Sequence, residues 1–219
     1  MTGSGRGEPP VADRPAREDE KFPVVQSSEA YRGRVLGLRV DEVRMPGGRV
    51  AVREVVEHLG AVAVVALDEA DQVVLIRQYR HPTGEYLLEL PAGLLDVAGE
   101  AAVDTARREL FEEAALRADT WHTLVDLRTS PGMSDEAVRV FLARHLHEVP
   151  GAERYTGADE EGDLSPHRVP LDEAVRATLD GRIENAIAVA GLLAAAHLRR
   201  AGWTPLRPAD APWPARPGR

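Results

Sequence analysis

Residues 93–116 read GLLDVAGEAAVDTARRELFEEAAL, and their charge spacing governs everything else in the chain. The stretch from Glu100 to Leu116 predicts a helix, with Val103, Ala106, Leu110 and Ala114 forming one apolar stripe. A helix turns about 100° per residue, so Glu109 and Glu113, four apart, stand one above the other, and Glu112 lies on the same side. The expectation is an arc of three carboxylates pointing away from the packed face. Like charges at this spacing repel by roughly 0.2–0.5 kcal/mol per pair, which a cation would offset. Hard oxygen ligands of this kind suit Mg²⁺ or Mn²⁺. The plainer reading of such a helix is a solvated acidic face partnered by Arg107 and Arg108.

Working outward, GRVLGLRVDEV (33–43), MPGGR (45–49) and VAVREVVEHL (50–59) predict two strands around a Pro-Gly-Gly turn. AVAVVALDEADQVVLIRQYR (61–80) predicts a second, buried hairpin, and 86–90 a short strand ending at Pro91. Strands are expected at 123–127 and 138–143, and helices at 171–180 and 185–200, the first stopped by Gly181. This order predicts an α+β or mixed α/β fold. The expected organisation is a disordered leader (1–30), an N-terminal β lobe (31–58), a main domain (59–202) and a Pro-rich tail (203–219) with frayed ends.

Composition narrows the function. The 219 residues carry 27 Lys and Arg against 36 Asp and Glu, a net charge of −9, which argues against nucleic acid as a partner. There is no cysteine, so neither disulfides nor thiolate metal sites are available. The opening 21 residues lack an apolar signal-like stretch, and the run 186–198 is too short to cross a bilayer. The expectation is a soluble cytoplasmic protein with no membrane partner.

The spacing Gly93, Glu100, seven residues, then Arg108-Glu109-Leu110-Phe111-Glu112-Glu113 resembles the Nudix box of the Nudix hydrolases. Two positions depart from the family pattern: the interval 94–99 is one residue longer, and Ala115 stands where the family has Gly. The longer loop is expected to bulge at Ala98-Gly99. Ala115 would cost about 1–2 kcal/mol if it keeps a left-handed helix terminus. The resemblance implies an α/β/α sandwich with an N-terminal antiparallel β lobe. It implies that Glu109, Glu112, Glu113 and the Ala92 carbonyl hold the metal, and that Glu100 and Arg108 pair to brace the loop.

Further segments resemble the ADP-ribose pyrophosphatase branch of that family: VVLIRQYRHPTGEYLLELPAG (73–93), SPGMSDE (130–136), the acidic loop ADEEGDL (158–164) and GRIENAIAVAGLLAAAHL (181–198). This implies hydrolysis of ADP-ribose to AMP and ribose 5-phosphate with Mg²⁺. Glu160 matches the position of the general base best and Glu161 is the alternative, while Glu112 assists at the metal. Arg53 and Arg80 are candidates to clamp the diphosphate or terminal ribose. Pro131 and Gly132 are candidates for a substrate wall. His58 and His81 are assigned no chemistry, and Tyr31, Tyr79 and Tyr86 are the candidates for a base platform. The β lobe carries more apolar residues than it can bury alone, and the resemblance implies that it pairs with a second subunit and that the site borrows residues across the interface, so a homodimer is expected. Two rivals remain: a hydrolase of another nucleoside diphosphate sugar or X-linked nucleoside diphosphate, and a non-catalytic nucleotide-sugar-binding domain. A purely structural domain would leave the five box charges unexplained.

Overall fold

Period-two runs of Val, Ile and Leu dominate the first half of the chain, and they form strands. A computed structural model describes residues 21–150 and 165–216. Strands β1 (Val24–Arg32), β2 (Leu36–Arg44) and β3 (Val50–His58) make a three-stranded antiparallel sheet, with the Pro-Gly-Gly turn between β2 and β3 as expected. The expected leader stops short of residue 30, because Val24–Arg32 pairs with β2 along its length. Its side chains are exposed throughout, so backbone bonds rather than burial hold it.

The main sheet is mixed and eight-stranded. It contains β4 (Ala61–Leu67), β5 (Gln72–Arg80), β6 (Glu85–Glu89), β7 (Ala92–Leu94), β8 (Leu116–Arg128), β9 (Ala137–Glu148), β10 (Ser165–Pro170) and β11 (Arg207–Pro208). Helix α1 (Ala102–Ala114) covers one face, where Ala106, Leu110 and Ala114 pack on Val62, Val64, Val74 and Phe141. Helices α2 (Leu171–Leu179) and α3 (Ala186–Arg200) cover the other, over Val65, Leu75, Val140 and Leu142. The architecture is the expected α/β/α sandwich. β4 is buried at every position, as a strand covered on both faces must be.

The hairpin expected from residues 61–80 is closed only at its turn. Leu67 is paired with Val73. Beyond that, β4 runs parallel to β9 and takes β7 along its other edge, while β5 pairs with β6 and β10. The splay lets the chain return through Pro91, whose carbonyl accepts the Val64 N–H at 2.8 Å, and so delivers Ala92 and Gly93 beside α1.

The Pro-rich segment after α3 is not helical, as expected, but through residue 216 it is not frayed. β11 pairs with β8. Trp203 and Leu206 pack on the α3 side, and Ala209 and Trp213 on the α1 side. Arg139, almost fully buried on β9, holds the segment by donating to the carbonyls of Ala211 (2.6 Å) and Pro212 (3.1 Å).

α1 ends on Ala115, whose φ of 52° and ψ of 42° are left-handed, with its N–H bonded to the carbonyls of Leu110 and Phe111. An L-residue with a Cβ pays for that conformation, and glycine does not. Ala115→Gly is therefore expected to stabilise the fold by about 1 kcal/mol and raise the melting temperature by about 2–4 °C, measured by calorimetry.

Candidate active site

Arg108, nearly two turns into α1, gathers the acids of the box. Its guanidinium lies 2.7 Å from Glu109, 3.3 Å from Glu100, 3.4 Å from Glu112 and 3.7 Å from Asp96. The pairing of Glu100 with Arg108 read from the sequence is present. Glu100 also accepts the Thr105 hydroxyl at 2.8 Å, and these bonds hold its carboxyl below the usual range against the opposing effect of burial. The preceding loop turns at Gly99, at a φ of 80°, which accommodates its extra residue.

Glu109 corrects the sequence reading. It is not on an outward arc; it is 9% exposed and faces β7. Burial pushes its carboxyl up to about 7, with Arg108 opposing and Glu112 reinforcing that shift. Gly93 makes the room. A Cβ placed there would stand 2.0 Å from the Glu109 carboxyl carbon, well inside contact distance. Glu113 takes a different anchor, accepting the Ala92 N–H at 2.8 Å. Two successive residues of β7 thus fix two carboxylates of α1, and the Ala92 carbonyl belongs to the same strand.

This donor set is all oxygen and includes a buried acid, which suits a hard divalent cation. Among the described residues, no three acidic or histidine side chains converge closely enough to enclose one by themselves. Arg108 meanwhile supplies the positive charge between Glu109 and Glu112.

The other expected residues are more scattered. Arg80 lies on β5, two residues from Gln78 and four from Ile76, on the same face as Val74 and hence on the α1 side. It donates twice to Glu89, at 2.9 and 2.6 Å. Glu89 is 2% exposed and was given no role in the sequence reading, although the LE-x-PAG pattern contains it. Arg53 sits on the N-terminal sheet and donates to the Val52 carbonyl at 2.8 Å. Pro131 and Gly132 form an exposed turn. Tyr79 and Tyr86 meet at 5.4 Å, with Arg77 over the Tyr86 ring, on the face opposite Arg80 and α1. Tyr31 is exposed on β1. Glu160 and Glu161 lie outside the described residues. A cavity of about 510 Å³ opens between the N-terminal lobe and residues 214–216, lined by Arg32, Arg34, His58 and Arg128 among others and by none of the box carboxylates.

A mixed sheet sandwiched by helices, with a carboxylate helix locked on a Gly-bearing strand, defines the Nudix class. The NUDIX domain family matches residues 56–189, and the nucleoside diphosphate sugar hydrolase N-terminal domain matches residues 23–56. The chain belongs to the Nudix hydrolase family, in its ADP-ribose pyrophosphatase branch. It is 49% identical over 199 residues to an ADP-ribose pyrophosphatase of Mycobacterium tuberculosis, covering 91% of this chain and 94% of that one. It is 35% identical to an ADP-ribose pyrophosphatase of Bacillus subtilis, covering 69% and 80%. A methanol dehydrogenase activator of Bacillus methanolicus is 36% identical, covering 73% and 84%. The crystal structure of an ADP compounds hydrolase superposes with a TM-score of 0.71 at 25% identity, covering 84% of this chain and 97% of that one.

The contact between Gly93 and Glu109 generates a test. Gly93→Ala is expected to destabilise the fold by about 2 kcal/mol or more, because the buried carboxyl must move. Combined with Glu109→Ala the clash has no second party, so the double variant should melt close to Glu109→Ala alone. Additive losses in the melting temperatures would show that Gly93 acts elsewhere.

Proposed function

We propose that this enzyme hydrolyses the diphosphate of ADP-ribose to AMP and ribose 5-phosphate, with Mg²⁺ as its metal and the cytoplasm as its compartment. The observation that carries the reading is the gathering of Glu100, Arg108, Glu109, Glu112 and Glu113 around one strand–helix contact. A domain that only bound nucleotide sugars would have no need of all five. The substrate class is supported by relatives that are ADP-ribose pyrophosphatases and span most of the chain.

Glu109, Glu112, Glu113 and the Ala92 carbonyl would hold the metal. When bound, it neutralises diphosphate charge and lowers the pKa of a coordinated water. Glu109 and Glu113 are held in place before any ligand arrives, by Gly93 and by the Ala92 N–H. Glu160, with Glu161 as the alternative, would take the proton of the attacking water as its oxygen bonds to one phosphorus and the bridging P–O bond breaks. Support for a base in residues 158–164 is their junction with β10, whose Ser165 pairs with Arg77 on the strand that carries Arg80. Arg80 would meet the substrate as a preset pair with Glu89, its guanidinium already oriented. Pro131 and Gly132 would form the wall at the exposed turn.

The lobe supports a homodimer. Val24, Val25, Tyr31, Val50 and Val52 are each more than 40% exposed in the single chain. Pairing this sheet with a second copy would bury those on the covered face, such as Val50, Val52 and Tyr31, and would bring Arg53 towards the partner's site. The boundaries that accompany this reading are a lobe through residue 58 and a catalytic domain from 59 to 202. The match of the N-terminal segment to nucleoside diphosphate sugar hydrolases supports a second reading, a different sugar on the same diphosphate.

Three measurements check these readings. AMP release from ADP-ribose should need Mg²⁺, stop with chelator, and fall at least about a hundredfold in Glu113→Gln and in Glu160→Gln; undiminished turnover in the chelated sample or in Glu113→Gln defeats the metal assignment. A substrate panel ranks ADP-ribose against other nucleoside diphosphate sugars. Sedimentation at micromolar concentration should give twice the 23.8 kDa chain mass, and a single-chain mass would remove the dimer.

A further inference from the structure

The entry to α1 lacks the usual device for fixing it. Its N-cap residue is Ala101, which has no side chain able to accept the first free N–H groups. The residue before it, Glu100, carries the brace to Arg108, so the direction of this entry decides where Glu100 and Arg108 meet. Another element holds it from outside. Arg216 donates from its guanidinium to the Glu100 carbonyl at 2.9 Å, across 116 positions of sequence.

Arg216 is itself fixed. Its N–H closes a turn onto the Trp213 carbonyl at 3.1 Å. Trp213 lies over the Arg139 guanidinium, 4.8 Å from the ring centre. Arg139 is 2% exposed, is paired with Asp126 at 2.7 Å, and holds the Ala211 and Pro212 carbonyls. On the near side Thr123 donates its hydroxyl to the Pro208 carbonyl at 3.0 Å. An unbroken set of contacts therefore runs from a half-buried ion pair in the main sheet to the Glu100 backbone, and through the Glu100 side chain and Arg108 to Glu109 and Glu112.

We propose that residues 207–216 are a strap that sets the entry of α1, and that Arg216 is a positioning residue for the carboxylates that hold the metal. The second half of this inference rests on the metal-dependent reading above; the first does not. Arg216 touches neither substrate nor metal in this scheme. It acts by keeping the Glu100 backbone in the orientation from which the Glu100 carboxylate reaches both Thr105 and Arg108.

The test uses the full chain as wild type, Arg216→Ala and Arg216→Lys, and reads amide hydrogen exchange over residues 97–105 together with Mg²⁺ affinity by calorimetry. Losing one bond of this kind should speed local exchange about two- to tenfold in Arg216→Ala and weaken Mg²⁺ by a similar factor. kcat for ADP-ribose should fall while KM holds, with the melting temperature moving by no more than about 2 °C. Arg216→Lys, which keeps a donor, should restore most of the protection. Unchanged exchange over 97–105 in Arg216→Ala overturns the strap. Faster exchange with Mg²⁺ affinity equal to wild type overturns the positioning role. Faster exchange in a chain whose wild type has no Mg²⁺ affinity supports the strap and refutes the metal reading instead.

Discussion

One guanidinium makes the site possible. Four carboxylates lie within 4 Å of Arg108, on three different supports: the loop (Asp96), the helix entry (Glu100) and the helix itself (Glu109, Glu112). Acids this close repel, and one of them is buried. Arginine is suited to the position because it stays charged and offers donors in several directions from one plane. A lysine would place a single compact charge and could not face all four. The cluster also has a built-in tension. Glu109 is pushed towards neutrality by burial and held to its charge by Arg108. A carboxylate in that position gains more from a nearby cation than a solvated one does.

The place of the cluster follows from a failure of strand pairing. β4 and β5 separate one step beyond their turn, and the gap admits β7 on the edge of β4. Without the splay, Ala92 and Gly93 would have no route to α1. With it, consecutive residues of one short strand do opposite things. Ala92 offers an N–H that attracts Glu113, and Gly93 offers the absence of a side chain that admits Glu109. Any residue but glycine there would expel the buried acid, so the first glycine of the box makes the volume for the third of its five charges, Glu109.

The sequence was most readable where periodicity and burial agree. The box helix, the second and third strands around Pro-Gly-Gly, and α2 and α3 all carry a one-sided apolar pattern, and each forms close to its expected bounds. β1 was missed because VVQSSEAYR buries nothing; its stability comes from hydrogen bonds to β2, which leave no hydrophobic signature. β10 and the strap were obscured by prolines, which exclude helix correctly but say nothing about docking. The anchor of the strap is Arg139, a cation inside a strand, and strand arginines normally read as solvent-facing. The same habit misplaced Glu109. Amphipathic analysis sends charges outward, and only the missing side chain at Gly93, some sixteen residues earlier, shows why this one turns in.

The SPGMSDE segment is tied to the end of the N-terminal lobe by its backbone. The Val56 N–H donates to the Met133 carbonyl at 2.8 Å, the Asp135 N–H to the Val56 carbonyl at 3.2 Å, and the His58 N–H to the Asp135 carboxylate at 2.9 Å. The His58 ring adds a contact to Glu136 at 3.4 Å. His58, given no chemistry by the sequence, is a joint. These bonds splice residues 133–136 onto the end of β3 and make the loop an extension of the N-terminal lobe. Its tip, Pro131 and Gly132, stays exposed, and a side chain at Gly132 would meet nothing. The base of the loop is thus fixed to β3 while its tip projects free of it. Any change in how the end of β3 is held would therefore reach that tip through these same few backbone bonds.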